Sequence, residues 1–196
     1  MSMDSKNSQP DGLSAIFSEM ARQHRDALAS FEMAHDRARQ VAEALRQNKR
    51  LLLLGMGASH ALGRAVEPLY RDLGIAAVAL PLSEQLGQPL PLDGCVVLVT
   101  SQSGESAEVR RWFAQGNPPP ATFGLTMQEN SPLAKIAPCL IGAGGSERAF
   151  AATRSLTVSF ALHAAILSAL GSDMQPALKV LKSPDKPDIT AALAVM

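Results

Sequence analysis

Hydroxyl and amide side chains are concentrated in one six-residue segment near the middle of the chain. Residues 101–106 read Ser-Gln-Ser-Gly-Glu-Ser and directly follow the apolar run Cys-Val-Val-Leu-Val-Thr. A loop of this kind between a buried strand and a helix offers backbone N–H groups, hydroxyl donors and the positive end of a helix dipole to one anion. One serine would suffice as an ordinary helix cap. Three serines and a glutamine exceed that need, so the segment predicts a phosphate-type anion site that needs no lysine.

Two further turns rich in glycine carry polar residues that could face the same ligand. Residues 55–60 read Gly-Met-Gly-Ala-Ser-His after four leucines, and residues 144–147 read Gly-Gly-Ser-Glu after a short apolar run. The second of these turns is predicted to open a long helix. In open α/β sheets, ligands bind outside the carboxyl ends of the strands, at helix N-termini. We therefore expect the three turns to meet at one side of a sheet.

The acid–base candidates near these turns leave alternatives open. Glu147 could act as a general base toward a ligand, or it could only complement the dipole of a helix. His60 could reach a ligand, although a lone histidine is more often a solvated or packing residue, and His163 in an apolar helix is predicted to be structural. Arg154 could pair with Glu147 or with a partner subunit. No His, Cys, Asp or Glu cluster has metal-ligand spacing, so neither a metal nor another cofactor is expected.

The elements that position these residues follow from the apolar pattern. Apolar residues at three- and four-residue spacing predict two N-terminal helices, over residues 13–31 and 34–45. Apolar runs predict five strands, at residues 51–54, 75–80, 95–100, 121–126 and 139–141. Helices are predicted between them at residues 59–73 and 105–115, and after them from residue 156 to residue 171. This alternation predicts a doubly wound α/β fold with a mainly five-stranded parallel sheet flanked by helices.

Length and composition limit the classes of protein. The 196 residues are 46% hydrophobic and 18% charged, which excludes a mostly disordered chain and fits a single domain. Eighteen basic residues balance eighteen acidic ones, so no net charge favours nucleic acid or an anionic membrane. We expect residues 1–11 to form a flexible leader, 12–182 the domain, and 183–196 a linker with a short helix. Without a signal peptide or an apolar stretch long enough to span a membrane, and with Cys95 and Cys139 expected as buried free thiols, a soluble cytoplasmic protein is predicted.

Three segments together resemble a known family. Residues 100–106 resemble the phosphosugar-binding signature of the sugar isomerase (SIS) domain, and residues 55–59 are similar to the first turn of that family. Residues 145–154 resemble a family segment that typically reads Gly-Thr-Glu-x-x-Val-Ala-Ser-Thr-Lys. The similarity extends from residue 16 to about residue 171. It points to the branch with the isomerase half of glucosamine-6-phosphate synthase, aminosugar-phosphate isomerases and deglycases, and it implies a flavodoxin-like three-layer sandwich.

The resemblance implies a sugar phosphate or aminosugar phosphate as the ligand. The contacts that carry over are Gly57, Ser59, Ser101, Gln102, Ser103 and Ser106. The sequence also departs from the family pattern. Ala152 stands in place of a serine near the sugar ring, Arg154 in place of a lysine, and Gly87 in place of a ring-opening histidine that follows Glu84. Family members of this branch carry two SIS domains in tandem, and we expect this chain to end about where the second would begin.

Two hypotheses about function follow. In the first, the protein is an aldose–ketose isomerase or a deglycase that acts on a phosphosugar, with Glu84 and Glu147 as catalytic candidates. In the second, it is a non-catalytic phosphosugar-binding or sensing module that lacks the second SIS half. In both cases a homodimer or higher homo-oligomer is expected, because self-association would cover the apolar surface of a half-size protein and recreate the paired arrangement with two-fold symmetry.

Overall fold

Five parallel strands form the sheet on which the helices pack. The computed structural model describes residues 12–116 and 118–183. The strands are β1 (Arg50–Gly55), β2 (Ala76–Pro81), β3 (Val96–Thr100), β4 (Thr122–Thr126) and β5 (Cys139–Ile141). Their order in the sheet is β2-β1-β3-β4-β5, and every neighbouring pair is parallel. This is the flavodoxin-like order, so the predicted doubly wound, five-stranded parallel sheet is confirmed.

Eight helices lie among the described residues. They are α1 (Gly12–Met33), α2 (His35–Asn48), α3 (Ala58–Asp72), α4 (Leu82–Gly87), α5 (Ala107–Gln115), α6 (Pro132–Ile136), α7 (Arg154–Leu170) and α8 (Gln175–Lys182). The sequence pattern did not predict α4, α6 or α8. The prediction that residues 144–147 open a long helix is wrong, because α7 begins only at Arg154. Gly144 and Gly145 have φ angles of +86° and +68°, which a right-handed helix cannot include.

The sheet buries a different set of side chains on each face. Leu51 and Leu53 of β1 point to one face, where they join buried residues of α2, α3 and α7. Leu52 and Leu54 point to the other face and pack with buried residues of α4, α5 and α6. Successive side chains of a strand point to opposite faces, so a strand buried on both sides needs an unbroken apolar run. The four consecutive leucines meet that requirement.

Helices α1 and α7 make the most extensive helix–helix contact in the described part of the chain. On the inner side of α7, His163 is buried and its Nδ1 lies 2.9 Å from the Tyr70 hydroxyl of α3. His163 is therefore a structural residue, as predicted. Both cysteines are free, with Cys95 buried and Cys139 half-buried, and burial raises the pKa of the Cys139 thiol to about 11.

Three sequence predictions concern residues outside the described ranges. These are the leader at residues 1–11, the linker after residue 183 and the short helix after residue 188. Among the described helices, none combines the length and the apolar character that a membrane crossing requires.

Candidate functional site

The turns after β1 and β3 lie side by side, because these two strands are neighbours in the sheet. The strand order reverses between β1 and β3, and this is the point at which open α/β sheets bind ligands. The first turn is tight. A Cβ atom on Gly55 would lie 2.9 Å from the backbone nitrogen of His60 and equally close to the side chain of Ser59. Glycine at this position lets α3 begin directly above the strand.

The backbone of residues 101–106 is fixed against β4 and the segment that follows it. The amide of Ser101 donates to the carbonyl of Leu125 at 3.0 Å, and the amide of Met127 donates to the carbonyl of Gln102 at 2.9 Å. Gly104 has a φ of +65°, and a Cβ atom there would overlap the side chain of Ser131. The loop therefore has one preferred shape, and its side chains are placed by the backbone.

Most side chains of this loop make no hydrogen bond within the protein. Gln102 Nε2 is buried without a partner, the one such side-chain nitrogen or oxygen in residues 12–116 and 118–183. Ser106 is the N-cap residue of α5, yet its hydroxyl makes no capping hydrogen bond, so the ordinary capping role does not explain it. Only the hydroxyl of Ser103 is used locally, where it accepts from the amide of Glu105 at 3.2 Å. A buried donor without a partner costs about 1–3 kcal/mol.

A cavity of about 190 Å³ opens beside these turns. Its walls come from the first turn, the start of α3, Gln102, the segment before α7, and the first turns of α7. The lining residues are Met56, Ala58, Ser59, Leu62, Gln102, Glu147, Ala149, Phe150, Ala152, Ser155, Leu156 and Ser159. The structure thus brings together three of the predicted site residues: Ser59, Gln102 and Glu147.

The other predicted residues do not line this cavity. Ser101 is buried, while Ser103 and Ser106 are half-buried in the neighbouring loop, and Gly57 is exposed at the first turn. Glu84 lies exposed on α4 and is not part of the cavity wall. The two acid–base candidates, Glu84 and Glu147, are therefore not brought together in one chain.

The carboxylate of Glu147 is fully used by the start of α7. Its Oε1 accepts from the amide of Thr153 (2.9 Å), the hydroxyl of Thr153 (2.7 Å) and the amide of Arg154 (2.8 Å). Its Oε2 accepts from the amide and the hydroxyl of Ser155. Burial alone would raise the pKa of Glu147, but the hydrogen bonds from Ser155 and Thr153 outweigh it and lower the pKa below its ordinary value. These contacts favour the helix-dipole alternative over the general-base alternative.

Arg154 has partners that the sequence did not suggest. Its side chain is completely buried and pairs with two carboxylates of α1, with Nε 2.5 Å from Glu19 and Nη1 3.4 Å from Asp26. Neither expected side-chain partner, Glu147 or a second subunit, is needed. The spacing of Glu19, Arg22 and Asp26 places three charged groups on one face of α1, but it does not identify Arg154 as their partner.

No histidine lines the cavity among the described residues, and His60 is half-buried outside it. In the same ranges, no three His, Cys, Asp or Glu side chains lie close enough together to hold a metal ion. The polar lining residues are thus three serines, one glutamine and one hydrogen-bonded glutamate, and the other lining residues are apolar. Such a set offers hydrogen bonds to a polar small molecule.

Comparison with protein-family models and with curated proteins finds no match to the sequence. Solved structures, in contrast, match most of the chain. Tagatose-6-phosphate ketose/aldose isomerase from Escherichia coli superposes with a TM-score of 0.72 at 20% identity, over 92% of this chain and 53% of that one. The C-terminal domain of glucosamine-fructose-6-phosphate aminotransferase from Francisella tularensis gives 0.68 at 20% identity, over 92% of this chain and 55% of that one.

A third match is the sugar isomerase domain of an RpiR transcription factor from Sphaerobacter thermophilus. It has a TM-score of 0.59 at 15% identity and covers 96% of this chain and 100% of that chain. The present chain thus spans about half the length of the first two proteins and the whole of the third. The fold is that of the sugar isomerase (SIS) domains, as the resemblance at residues 100–106 predicts.

Proposed function

We propose that this protein binds a phosphorylated sugar or aminosugar at the turns after β1 and β3. The observation that carries the proposal is that Gln102, whose Nε2 is buried without a hydrogen-bond partner, is one of the residues that line the cavity. A phosphate group offers three strong acceptor oxygens to such a donor. The hydroxyls of Ser59, Ser101, Ser103 and Ser106, and the backbone amide of Gly57, complete the proposed phosphate site.

The matched structures support the chemical class of this ligand. Their names refer to tagatose 6-phosphate, to glucosamine and fructose 6-phosphate, and to a sugar isomerase domain. In the proposed arrangement, the phosphate occupies the loop at residues 101–106, and the sugar extends into the cavity toward Ser155 and Glu147. Charge-assisted hydrogen bonds to the phosphate supply most of the affinity, and the cavity selects the sugar.

The geometry favours binding or sensing over catalysis by this chain alone. Isomerisation needs a base that moves a proton between adjacent sugar carbons and a group that assists ring opening. Glu147 faces the cavity, but its oxygens already accept from Thr153, Arg154 and Ser155. Glu84 lies elsewhere, and no described histidine lines the cavity. The alternative is an isomerase or a deglycase. The observation that supports it is that Glu147 lines the cavity.

A thermal-shift panel tests the proposal. The panel contains glucosamine 6-phosphate, fructose 6-phosphate, the two unphosphorylated sugars and inorganic phosphate. A ligand at a hundred times its dissociation constant adds about 2.7 kcal/mol of stability, so a binding sugar phosphate raises the melting temperature clearly above the effect of its unphosphorylated sugar. A panel without any shift contradicts the proposal.

A coupled isomerase assay on the same protein separates the two alternatives. Loss of one acid–base group lowers turnover by about a hundred- to ten-thousand-fold, so we expect weak or absent activity on fructose 6-phosphate. Robust turnover that disappears in Glu147→Gln would instead establish the enzymatic alternative, with Glu147 as the base. Turnover that this substitution leaves unaffected would direct attention to Glu84.

We also propose that the protein acts in the cytoplasm as a homodimer or higher oligomer. Leu13, Phe17 and Phe150 expose 63%, 66% and 81% of their surface. They belong to one region, since the Phe150 ring lies beside the start of α1 at Gly12. Covering such side chains is the usual reason for self-association. Sedimentation at tens of micromolar is expected to show a dimer or larger species, and a strict monomer would contradict this prediction.

A further inference from the structure

We infer that α1 determines the shape of the sugar-facing wall of the cavity through a buried cluster of Glu19, Asp26 and Arg154. This inference rests on the proposed function, because it assigns positioning residues to the same site. None of the three residues lines the cavity at Ser59 and Gln102. They act through the loop at residues 143–148, which leads from β5 to the cavity wall.

The guanidinium of Arg154 connects α1 to this loop. Besides its contacts with Glu19 and Asp26, it donates from Nη1 to the carbonyl of Ala143 at 3.0 Å and from Nη2 to the carbonyl of Gly145 at 2.6 Å. The side chain is completely buried. Its planar fork of donors satisfies two carboxylates and two carbonyls at once, a geometry that lysine cannot reproduce.

Side chains of α1 hold the same loop directly at three further points. Arg22 donates to the carbonyl of Gly144 at 2.8 Å, and the amide of Ala143 donates to the hydroxyl of Ser30 at 2.8 Å. The amide of Arg148 donates to Glu19 Oε1 at 3.0 Å. These contacts join residues more than 110 positions apart in sequence. The backbone at residues 143–148 is thus fixed largely by α1.

The loop approaches α1 so closely that one position requires glycine. A Cβ atom on Gly144 would overlap the carboxylate of Asp26 and lie 2.7 Å from Arg154 Nη1, and the φ of Gly144 is +86°. The loop contains Glu147 and continues into Ala149, Phe150 and Ala152, and all four residues line the cavity. A shift of the loop away from α1 would therefore move this wall.

The proposed phosphate loop, residues 101–106, is held by a separate set of contacts. Its backbone hydrogen bonds run to Leu125, Met127 and Leu133, and none of them involves α1. Disturbing the buried cluster should consequently weaken the selection of the sugar and leave the phosphate loop intact. If the cluster had a purely structural role, substitutions in it would reduce the stability of the protein without a selective loss of affinity for the sugar.

The experiment compares two variants of the cluster with a matched control. Glu19→Gln removes one charge of the cluster, and Arg154→Lys keeps the charge but loses the fork. Glu67→Gln is the control, since Glu67 is also a buried carboxylate paired with two arginines, Arg64 and Arg71, but lies on α3 outside the cavity wall. Calorimetry measures the affinity of each protein, at a temperature where all are folded, for inorganic phosphate and for the sugar phosphate that stabilises the wild type most in the panel.

In both cluster variants we expect affinity for the sugar phosphate to fall about five- to tenfold. This is the effect of losing one to two hydrogen bonds between the cavity wall and the sugar. Affinity for inorganic phosphate, measured in the same way, should stay within about twofold of the wild type. Glu67→Gln should change neither the affinity for the sugar phosphate nor that for inorganic phosphate. Sugar-phosphate affinity equal to the wild type in both cluster variants would overturn the inference, as would an equal loss for both ligands. A wild type that binds no sugar phosphate would instead contradict the proposed function, and the inference with it.

Discussion

At the scale of single residues, the proposed phosphate site depends most on Gln102. Its Nε2 is buried without a partner, so the ligand-free protein bears the cost of a lost hydrogen bond. Natural proteins leave few such groups, and those that exist call for an explanation. The carbonyl of the same residue is fully used, because it accepts from Met127 and Thr126. The backbone is thus secured while the side chain is kept available.

Replacing the side chain of Gln102 should therefore separate the two properties. In Gln102→Met we expect the stability of the free protein to stay equal or rise by up to about 1 kcal/mol, because the unsatisfied donor is gone. Sugar-phosphate affinity should fall about tenfold or more, since a charge-assisted hydrogen bond is lost. Thermal melts with and without the ligand measure both effects. A variant that is less stable but binds normally would contradict this explanation.

The sequence predicts single residues well where the signal is local. Ser59, Gln102 and Glu147 follow strand ends and turn glycines, and the structure places all three at one cavity. Arg154 could not be predicted in the same way. Its carboxylate partners, Glu19 and Asp26, lie at least 128 residues away, and sequence spacing carries no information about which distant charges meet inside a fold.

At the scale of elements, the start of α7 is organised from outside the helix. Thr153 occupies the N-cap position but makes no side-chain capping bond to the helix. The carboxylate of Glu147 satisfies the amides of Thr153, Arg154 and Ser155 instead. The first amides of a helix have no partner within it, and a negative charge near them is stabilising.

We expect Glu147→Gln to reduce stability by about 1–2 kcal/mol at pH 7, because an amide cannot accept from so many donors. The pKa of Glu147 is lowered in the folded state. Its contribution is therefore fully present above the ordinary carboxyl pKa of about 4.5 and is lost as the pH falls through the lower folded value.

Urea unfolding at several pH values measures this difference, with the exposed Glu105→Gln as the control. The gap between the wild type and Glu147→Gln should close in acid. A gap that is absent at pH 7, or that persists unchanged at pH 3, would show that Glu147 does not cap α7 as a carboxylate.

The strands were predictable because each is a short apolar run that ends at glycine, proline or a polar turn. The bounds of β5 agree with the sequence, those of β3 and β4 differ by one residue at the start, and those of β1 and β2 differ by one residue at each end. Helices α4 and α6 were not predictable, because six and five residues contain too few turns to show a helical period. The early start expected for α7 was wrong. Ser146 and Glu147 resemble the polar residues that cap a helix, but Gly144 and Gly145 before them have positive φ angles and the helix begins only at Arg154.

At the scale of the whole molecule, one face of the sheet contains a buried polar contact that connects two helices. The hydroxyl of Tyr70 and the imidazole of His163 lie together in the layer formed by α3 and α7. Burial lowers the pKa of His163 to about 4. Between about pH 6.5 and pH 4 the histidine is therefore mostly neutral in the folded protein, whereas it is mostly protonated in the unfolded chain.

This predicts a specific dependence of stability on pH. The unfolded chain takes up a proton at His163 near pH 6.5 and the folded protein does not, so the free energy of unfolding falls as the pH drops toward 4. Between pH 6.5 and 5 the expected loss is about 1.6 kcal/mol. Urea unfolding at a fixed protein concentration measures it. The double variant Tyr70→Phe, His163→Phe should lose this slope, and a variant that keeps the full slope would contradict the assignment.

The central claim is that residues 101–106 hold the phosphate of a sugar. Calorimetric titration of the panel's best sugar phosphate into the wild type and into a protein carrying Ser101→Ala and Ser103→Ala tests it most directly. Each charge-assisted hydrogen bond contributes about 1.5–3 kcal/mol, so the double variant should bind more than tenfold more weakly. Ser83→Ala, an exposed serine of α4, should bind like the wild type. Equal affinity in the double variant and the wild type would contradict the claim.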